Sequence, residues 1–483
     1  MKTNTQIFKI ILVVLFLMSC DNSNSQGVTW GNILSYTNGS TLFKTCQTSD
    51  GGYIAVGTTR IGIDYKMFVI KLNQYGDSVW SRLYNLDIKA YYQSYWIEET
   101  YDKGFIVSGL GEGPNGDAYV IKLDASGNIR WVKVLSTSAL DMGMCIKELP
   151  DKGFILLSRS DPFPSLRIVL TRLDSLGNII WNKYYGSDDR GFEVEYIENS
   201  GFIIVGRRRN GSDFLFKSYL LRTDLNGDSL WSKEFTDFYK TSAYSIDVTA
   251  DNGFIIGGTA DTSNNLEPKA YIVKTDSIGN IQWQRRYGNG FNETCYSIRK
   301  FGNTKYVICG FSDSLQNAFE RGVIRIIDLS GNVLQENYFR YGGLDNVFYS
   351  IERTNDNGLI VSGNSTTFNN VFSLLIKTDS IGNIYPVGIN NSVKSIPNFQ
   401  LYQNFPNPFN PTTTINFELS KEAMTRIVVY DVTGKIVSTL LKEPKKAGSY
   451  TIKFDGRDFP SGIYFYKLIS GENVMVRRMV ILK

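Results

Sequence analysis

The chain of 483 residues contains no histidine, and this absence limits the chemistry that it can perform. Without imidazole, the usual zinc sites and the Ser-His-Asp triad cannot be built, and the commonest general base is missing. Catalysis would have to rest on carboxylates, Tyr, Lys or Arg. Carboxylates in the variable segments could act as an acid-base pair that cleaves a polysaccharide. The alternative is that they are ordinary solvated loop residues without a catalytic role. These carboxylates are Asp188, Asp189, Glu293 and Asp345.

Two clusters contain residue types that are over-represented at recognition surfaces. Their members are Tyr91, Tyr92, Trp96, Arg207, Arg208 and Arg209. Adjacent aromatic faces suit sugar rings or the apolar side chains of a protein partner, so these residues form a candidate ligand face. The alternative is that Tyr95 and Trp96 begin an inner strand, and that the three consecutive Arg residues form a solvated loop. Five aligned positions on other inner strands are also aromatic: Phe43, Phe192, Tyr244, Tyr296 and Tyr349.

No residue pattern predicts a cofactor or a metal. The repeated turns each supply one Asp, which could bind calcium or could cap the backbone of its own turn; a single carboxylate favours the cap. These residues are Asp174, Asp224, Asp276 and Asp379. The net charge of +4 is small for this length, so it gives no reason to expect a nucleic-acid partner.

The elements that would position these residues are repeated along the chain. The stretch "DSIGNIQW" ends at Trp283, and related stretches end at Trp residues spaced 50 to 52 positions apart. Two later copies keep the turn but end in Gln335 and Pro386. A second landmark, exemplified by "DNGFIIGG" at position 251, recurs with the same spacing. The chain therefore contains seven units.

Each unit reads as four short strands joined by tight Gly turns, a pattern typical of a β-propeller. The seventh unit stops at "GNIYPVG" and lacks its fourth strand, whereas the N-terminal "VTWGNILSY" is a fourth strand without three others. We therefore predict an all-β protein, with a seven-bladed β-propeller over residues 28–388 that is closed by its N-terminal strand. The propeller is followed by a small C-terminal β-sandwich of the Ig-like kind.

Six of the seven Trp residues occupy one position of this repeat. They are Trp30, Trp80, Trp131, Trp181, Trp231 and Trp283. They could form a ligand-binding ladder, but a wedge between neighbouring blades is favoured. The spacing Asp-x-x-Gly-x-x-x-Trp resembles the docking repeats of quinoprotein-type propellers. This resemblance implies packing only, because the adjacent Cys pair and the calcium ligands of those enzymes are not visible. Cys295 and Cys309 could form a cross-strand disulfide or remain buried thiols.

The N-terminus has the features of an export signal. Residues 1–20 combine a basic start with an apolar run that is too short to span a bilayer as a helix. The end of this run resembles the bacterial lipobox, which implies lipidation of Cys20; simple cleavage nearby is the alternative. Residues 21–27 would then form a polar tether, and membrane contact would be limited to a lipid anchor or surface attachment.

The C-terminus is separated from the propeller by a linker at 389–398 and contains several distinct motifs. They are "QNFPNPFNPTTTI", "YDVTGKIV", "PSGIYFYKL" and a final Lys. The segment 399–483 resembles the type A sorting domain of the type IX secretion system of Bacteroidota. The resemblance implies export across the outer membrane with the type IX secretion machinery as partner. The motif residues matched are Pro406, Asn407, Pro408, Pro460, Ser461, Gly462, Tyr464 and Lys483.

The sequence therefore predicts an exported propeller, secreted or held at the cell surface, that binds a glycan or a protein partner. A polysaccharide hydrolase or lyase using loop carboxylates and Tyr is an alternative, and so is a structural component of a surface layer. The sequence favours a binding protein over an enzyme.

Overall fold

The structure is a computed structural model of the chain. The predicted leader with Cys20, the pair Tyr91 and Tyr92, Pro386 and the terminal Lys483 lie outside the described residues. The described residues are 28–35, 39–62, 64–84, 93–111, 116–136, 139–161, 166–210, 215–262, 267–288, 292–313, 319–340, 345–384, 394–395, 399–402, 404, 406–471 and 473–482.

The described part of the chain is all-β, and its first 28 strands form seven sheets. The first six sheets each contain four consecutive antiparallel strands in chain order. Their strands are β2 (Ser40–Gln47), β3 (Tyr53–Ile61), β4 (Asp64–Leu72), β5 (Ser78–Tyr84), β6 (Gln93–Glu99), β7 (Phe105–Gly111), β8 (Asp117–Leu123), β9 (Ile129–Leu135), β10 (Leu140–Glu148), β11 (Phe154–Asp161), β12 (Arg167–Leu173), β13 (Ile179–Tyr185), β14 (Asp189–Ile197), β15 (Gly201–Asn210), β16 (Leu215–Thr223), β17 (Ser229–Phe235), β18 (Lys240–Val248), β19 (Phe254–Asp261), β20 (Lys269–Thr275), β21 (Ile281–Tyr287), β22 (Asn292–Phe301), β23 (Lys305–Asp313), β24 (Arg321–Asp328) and β25 (Val333–Phe339). Within these described ranges, no helix is long and apolar enough to cross a membrane.

The seventh sheet combines strands from both ends of the propeller sequence. It contains β26 (Asp345–Arg353), β27 (Leu359–Thr366), β28 (Val371–Thr378), β1 (Trp30–Ser35) and the short β29 (Lys394–Ser395). β1 pairs antiparallel with β28, and Trp30 lies opposite Lys377. The first and seventh sheets are in contact, since Lys44 of β2 forms an ion pair with Glu352 of β26. The seventh sheet thus receives its fourth strand from the N-terminal end, as the repeat pattern predicts.

The turn before each outer strand explains the repeated Asp and Gly. In the second sheet, one Asp124 oxygen accepts hydrogen bonds from the backbone N–H of Ser126 at 2.9 Å and of Asn128 at 2.8 Å. Gly127 has a φ of 79°, a conformation that side chains with a Cβ rarely adopt. The carboxylate therefore caps its own turn. The equivalent bonds are made by Asp174, Asp224, Asp276, Asp328 and Asp379.

The Trp of each outer strand contacts the following sheet at this turn. Trp80 lies with its ring centroid 5.9 Å from that of Phe105, and a Cβ added at Gly127 would lie 2.8 Å from its ring. Trp30 makes the same contact with Gly76 of the first sheet. The outer strand of the sixth sheet has no Trp, and there Asn337 contacts Gly382 of the seventh sheet. The remaining contacts of this type are Trp131 with Gly177, Trp181 with Gly227, Trp231 with Gly279 and Trp283 with Gly331. The resemblance of this repeat to the docking repeats of quinoprotein-type propellers stays a prediction.

The C-terminal strands form two sheets that share one hydrophobic core, as in a β-sandwich. Phe417 and Leu419 of one sheet and Ile427 and Tyr466 of the other belong to this core, and each is almost completely buried. The first sheet contains β30 (Gln400–Leu401), β31 (Thr412–Leu419) and β34 (Gly448–Asp455), and the second contains β32 (Ala423–Tyr430), β33 (Ile436–Lys445), β35 (Gly462–Ser470) and β36 (Asn473–Ile481).

Candidate functional site

The first strand of every propeller sheet contains one bulge. In the fourth sheet, the pairing of β14 with β15 shifts between Gly191 and Glu193, which leaves Phe192 outside the ladder. Six of the seven residues at this position are aromatic, and we call the set the inner girdle. Its members are Phe43, Tyr95, Met144, Phe192, Tyr244, Tyr296 and Tyr349.

The girdle side chains contact one another around a common axis. The ring centroids of Phe192 and Tyr244 are 5.1 Å apart, and those of Tyr244 and Tyr296 are 5.6 Å apart. Tyr349 continues the series at 5.2 Å from Tyr296 and 5.3 Å from Phe43. Every girdle side chain is half-buried, whereas the residue that follows it in each strand is buried. The bulges therefore present a partly open aromatic surface at the centre of the propeller.

A cavity of about 250 Å³ lies beside the inner girdle. Residues from the first strands of all seven sheets line it, so these strands surround a common channel. Its polar lining includes the charged side chains of Lys44, Glu193 and Arg299. An aromatic girdle and buried charges thus meet in one partly open cavity.

The charged groups of the channel form a network of ion pairs. Arg299 contacts Glu193 at 2.6 Å and Glu352 at 2.9 Å. Lys147, which does not itself line the cavity, contacts Glu98 at 2.8 Å and Glu195 at 3.0 Å. The Arg299–Glu193 pair joins the sixth and fourth sheets, whereas the other three pairs join consecutive sheets. Each buried cation thus has a partner that offsets its desolvation.

The carboxyl groups of this network have very different pKa values, some lowered and others raised. Burial acts to raise the pKa of Glu352, but Arg299 and Lys44 outweigh it and hold this pKa at about 2. Burial raises the pKa of Glu195 to about 7, because Lys147 compensates only in part and Glu193 repels a second negative charge. Burial also raises the pKa of Asp247. Glu195 does not line the cavity, so its altered pKa does not make it a general acid for a ligand there.

Trp96 lies in the channel and not on a loop. It is 7% exposed, and its indole N–H donates to Glu98 at 3.1 Å. The ammonium of Lys44 lies 4.1 Å from the Trp96 ring centroid and that of Lys147 lies 5.0 Å from it. Trp96 therefore belongs to the first strand of the second sheet, which is the alternative that the sequence offered.

The three consecutive Arg residues lie on strand β15 and are only half-buried. Arg208 forms an ion pair with Asp189 at 2.7 Å, and Arg209 forms one with Asp188 at 3.3 Å. Arg207 instead stacks on aromatic rings, with its guanidinium carbon 4.1 Å from the centroid of Phe216. The run is therefore not a solvated loop, and two of its members are engaged by neighbouring carboxylates.

The carboxylates proposed for the enzyme alternative have structural partners. Asp189 is 1% exposed and binds Arg208, and Glu293 forms an ion pair with Arg325 at 2.6 Å. Asp345 accepts the backbone N–H of Glu320 at 2.8 Å. In the part of the chain that the structure describes, no group of three or more Cys, Asp or Glu residues could hold a metal ion.

The two Cys residues of the sixth sheet are free thiols, and both are buried. Cys295 lies opposite Gly310, and Cys309 lies opposite Ser297 on the other side of the bulge. Burial raises the pKa of both thiols, which keeps them protonated and unreactive.

Residues of the sorting motifs form hydrogen bonds within the sandwich, including one between its N-terminal segment and its last strand. The side-chain oxygen of Asn407 accepts the backbone N–H of Val480 at 2.8 Å, and Tyr464 donates to the carbonyl of Pro460 at 3.0 Å. Gly462 begins β35, while Pro406, Pro408 and Ser461 are exposed. The motifs therefore combine a fixed backbone with exposed prolines at the surface.

Residues 403–482 match the family model described as the secretion system C-terminal sorting domain. The fold and this domain define the chain as a β-propeller protein with a C-terminal sorting domain. It is exported by type IX secretion to the cell surface or the medium. A comparison with curated proteins found no similar sequence.

Several solved structures are similar in shape. Sqt1 from Chaetomium thermophilum, solved with the N-terminus of the ribosomal protein L10, has 11% identity and a TM-score of 0.45, with 72% of this chain and 99% of that chain covered. The propeller domain of the Trilobed protease from Pyrococcus furiosus has 10% identity and a TM-score of 0.38, with 73% and 98% covered. The polysaccharide lyase Uly1 has 9% identity and a TM-score of 0.46, with 74% and 98% covered. Likenesses at these identities concern the fold and not the activity.

Proposed function

We propose that the propeller is a surface or secreted binding module for a glycan or a protein partner. The ligand is received at the upper face, which we define as the end of the propeller where the first strand of each sheet begins. The loops between second and third strands lie at this end, together with the connections between sheets.

The inner girdle is the observation that carries this proposal. Aromatic faces bind sugar rings and apolar side chains at a low entropic cost, because their side chains have few rotatable bonds. A purely structural core would bury such side chains completely, whereas those of the girdle remain partly exposed beside a cavity. Tyr91 and Tyr92 precede the second sheet and are proposed to extend this surface.

The test is a glycan-array screen of the full chain with its leader removed. Tyr244→Ala and Tyr296→Ala are expected to weaken binding of any ligand found by about 30-fold each, as at an aromatic hot spot. Tyr184→Ala is the matched control, because Tyr184 is 52% exposed on the outer strand of the third sheet. Equal binding by all three variants would contradict the proposed site.

The paired variant Tyr91→Ala with Tyr92→Ala tests the extension separately. Unchanged affinity with an unchanged melting temperature would remove these two residues from the ligand face.

Reducing-sugar release is measured on the same samples, because it distinguishes binding from cleavage. The binding proposal predicts no turnover, since the carboxylates that could act as an acid-base pair are engaged elsewhere. Sustained release of reducing ends by the wild-type chain would establish a hydrolase or lyase instead.

A further inference from the structure

Two like charges face each other across the first two strands of the fourth sheet. Arg190 of β14 is the direct cross-strand partner of Arg207 of β15. Like charges in this arrangement destabilise an antiparallel pair, whereas opposite charges stabilise it. The next pair of the same ladder follows the rule, because Asp189 lies opposite Arg208 and binds it. Arg208 also lies opposite Lys217 of β16, but Arg208 forms ion pairs with Asp189 and Glu234. The Arg190–Arg207 pair differs because neither of its members forms an ion pair of this kind.

Neither guanidinium is neutralised by a carboxylate of the described chain. The buried Nε atoms of Arg190 and Arg207 have no hydrogen-bond partner there, and the Arg207 contact with Ser242 is long, at 3.5 Å. The nearby acidic residues serve other cations: Asp161 binds Arg159 at 2.9 Å, and Asp188 binds Arg209. Burial lowers the pKa of both Arg190 and Arg207, and the charges of Asp161 and Asp188 offset this only in part at Arg190.

Aromatic rings hold the two guanidinium groups in place. The Phe216 centroid lies 4.1 Å from the guanidinium carbon of Arg207 and 5.7 Å from that of Arg190. Arg207 also lies 5.6 Å from the centroid of Phe192, which is a member of the inner girdle. A guanidinium stacked on a ring keeps its N–H donors at the edge, where they can bind an oxyanion.

We propose that Arg190 and Arg207 form an anion-binding site for the carboxylate or sulfate group of an acidic glycan. The inference rests on the proposed binding function and names its ligand class. The contact between Arg207 and Phe192 puts this site at the edge of the girdle, so a sugar ring on the girdle could direct its anionic group to the pair. The bound anion would supply the negative charge that the sheet lacks, which accounts for a like-charge pair that folding alone disfavours.

The test compares three polymers with one backbone: dextran sulfate, carboxymethyl-dextran and unmodified dextran. Their affinities for the full chain are measured by calorimetry at fixed ionic strength. The wild type is expected to bind at least one charged polymer, and the sulfate and carboxymethyl arms distinguish the two anions. Arg190→Gln and Arg207→Gln are each expected to weaken this binding by about tenfold, the loss of one charged hydrogen bond.

Arg130→Gln is the matched control, since it removes the same charge from a side chain that is 67% exposed on the second sheet. It should leave the affinity unchanged. The melting temperature adds a second measurement: Arg190→Gln and Arg207→Gln should leave it unchanged or higher, because each removes a repulsion. A lowered melting temperature with unchanged affinity would assign the pair a structural role and overturn the site.

The outcomes separate this inference from the proposal on which it rests. If neutral glycans bind the girdle and no charged dextran binds the wild type, the anion site is overturned and the binding function stands. If the array returns no ligand and all dextrans fail, the anion site and a glycan as the ligand of the girdle are both overturned. Equal loss of affinity in Arg130→Gln and the two site variants would reveal nonspecific attraction and also overturn the site.

Discussion

The contact between Trp80 and Gly127 provides the sharpest test of how neighbouring sheets are joined. Gly127→Ala should be destabilising for two separable reasons. The φ of 79° is strained for any residue with a Cβ, at about 1–2 kcal/mol. The new Cβ would also lie 2.8 and 2.9 Å from two carbons of the Trp80 ring, and such overpacking costs about 1–3 kcal/mol. The expected loss in the free energy of unfolding is therefore about 2–5 kcal/mol.

Removing the ring should abolish only the second contribution. Trp80→Ala alone should cost about 3–5 kcal/mol, because Trp80 is 4% exposed and its cavity cannot collapse fully. In that background, Gly127→Ala should cost only the backbone strain of about 1–2 kcal/mol. The double-mutant cycle should thus give a coupling of about 1–3 kcal/mol.

Gly51→Ala is the control, since Gly51 has a φ of 82° and a Cβ there would have no neighbour within 4 Å. It should cost the same in the presence and absence of Trp80. The assay is denaturant unfolding of the full chain followed by far-ultraviolet circular dichroism. Strict additivity of Trp80→Ala and Gly127→Ala would show that the ring does not press on the turn, and would refute the packing argument.

Three further predictions concern closure and the channel. Deleting 28–36 should lower the melting temperature far more than deleting 21–27, because it removes an outer strand and exposes a sheet edge; similar melting temperatures would contradict closure by β1. Arg299→Met should cost about 3–5 kcal/mol in urea unfolding, since it leaves the buried carboxylate of Glu193 without its ion-pair partner, whereas Arg285→Met on the exposed outer strand should be neutral. The raised pKa of Glu195 in the folded state predicts a stability penalty that is absent below about pH 4.5, grows as the pH rises and is complete above about pH 7. Glu195→Gln should therefore stabilise the chain by a few kcal/mol at pH 8 but not at pH 4.5. A stability difference that does not depend on pH would contradict this assignment.

The repeat made the propeller predictable from sequence, because its turns are local and its Gly and Trp positions recur at a nearly constant spacing. The same alignment showed that aromatic residues recur on the inner strands. It did not reveal that a bulge directs them towards a shared cavity, since a bulge depends on how two strands pair and not on either strand alone.

The charge network of the channel could not be predicted for a different reason. Lys44 and Glu352 are 308 positions apart, and no local pattern relates them. The Arg run illustrates the same limit: sequence identified Arg207 to Arg209 as a cluster, but only the ladder shows that Arg207 faces Arg190 while Arg208 faces Asp189. Cross-strand partners, and not sequence neighbours, decide which of these charges remain unneutralised.

The predicted lipidation of Cys20 can be tested by chemical labelling. A fatty-acid probe should label the wild type at Cys20 and not a Cys20→Ala variant. Absence of label on the wild type would exclude lipidation and favour simple cleavage.

The central claim is that this chain is exported through its C-terminal domain, and fractionation of a type IX-secreting bacterium tests it most directly. The full chain should reach the surface or the medium, whereas a chain ending at residue 398 should remain inside the envelope. In the reciprocal arm, residues 389–483 fused to an unrelated periplasmic protein should carry that protein to the surface or the medium. Normal appearance of the truncated chain outside the cell, with the fused protein retained, would contradict the account.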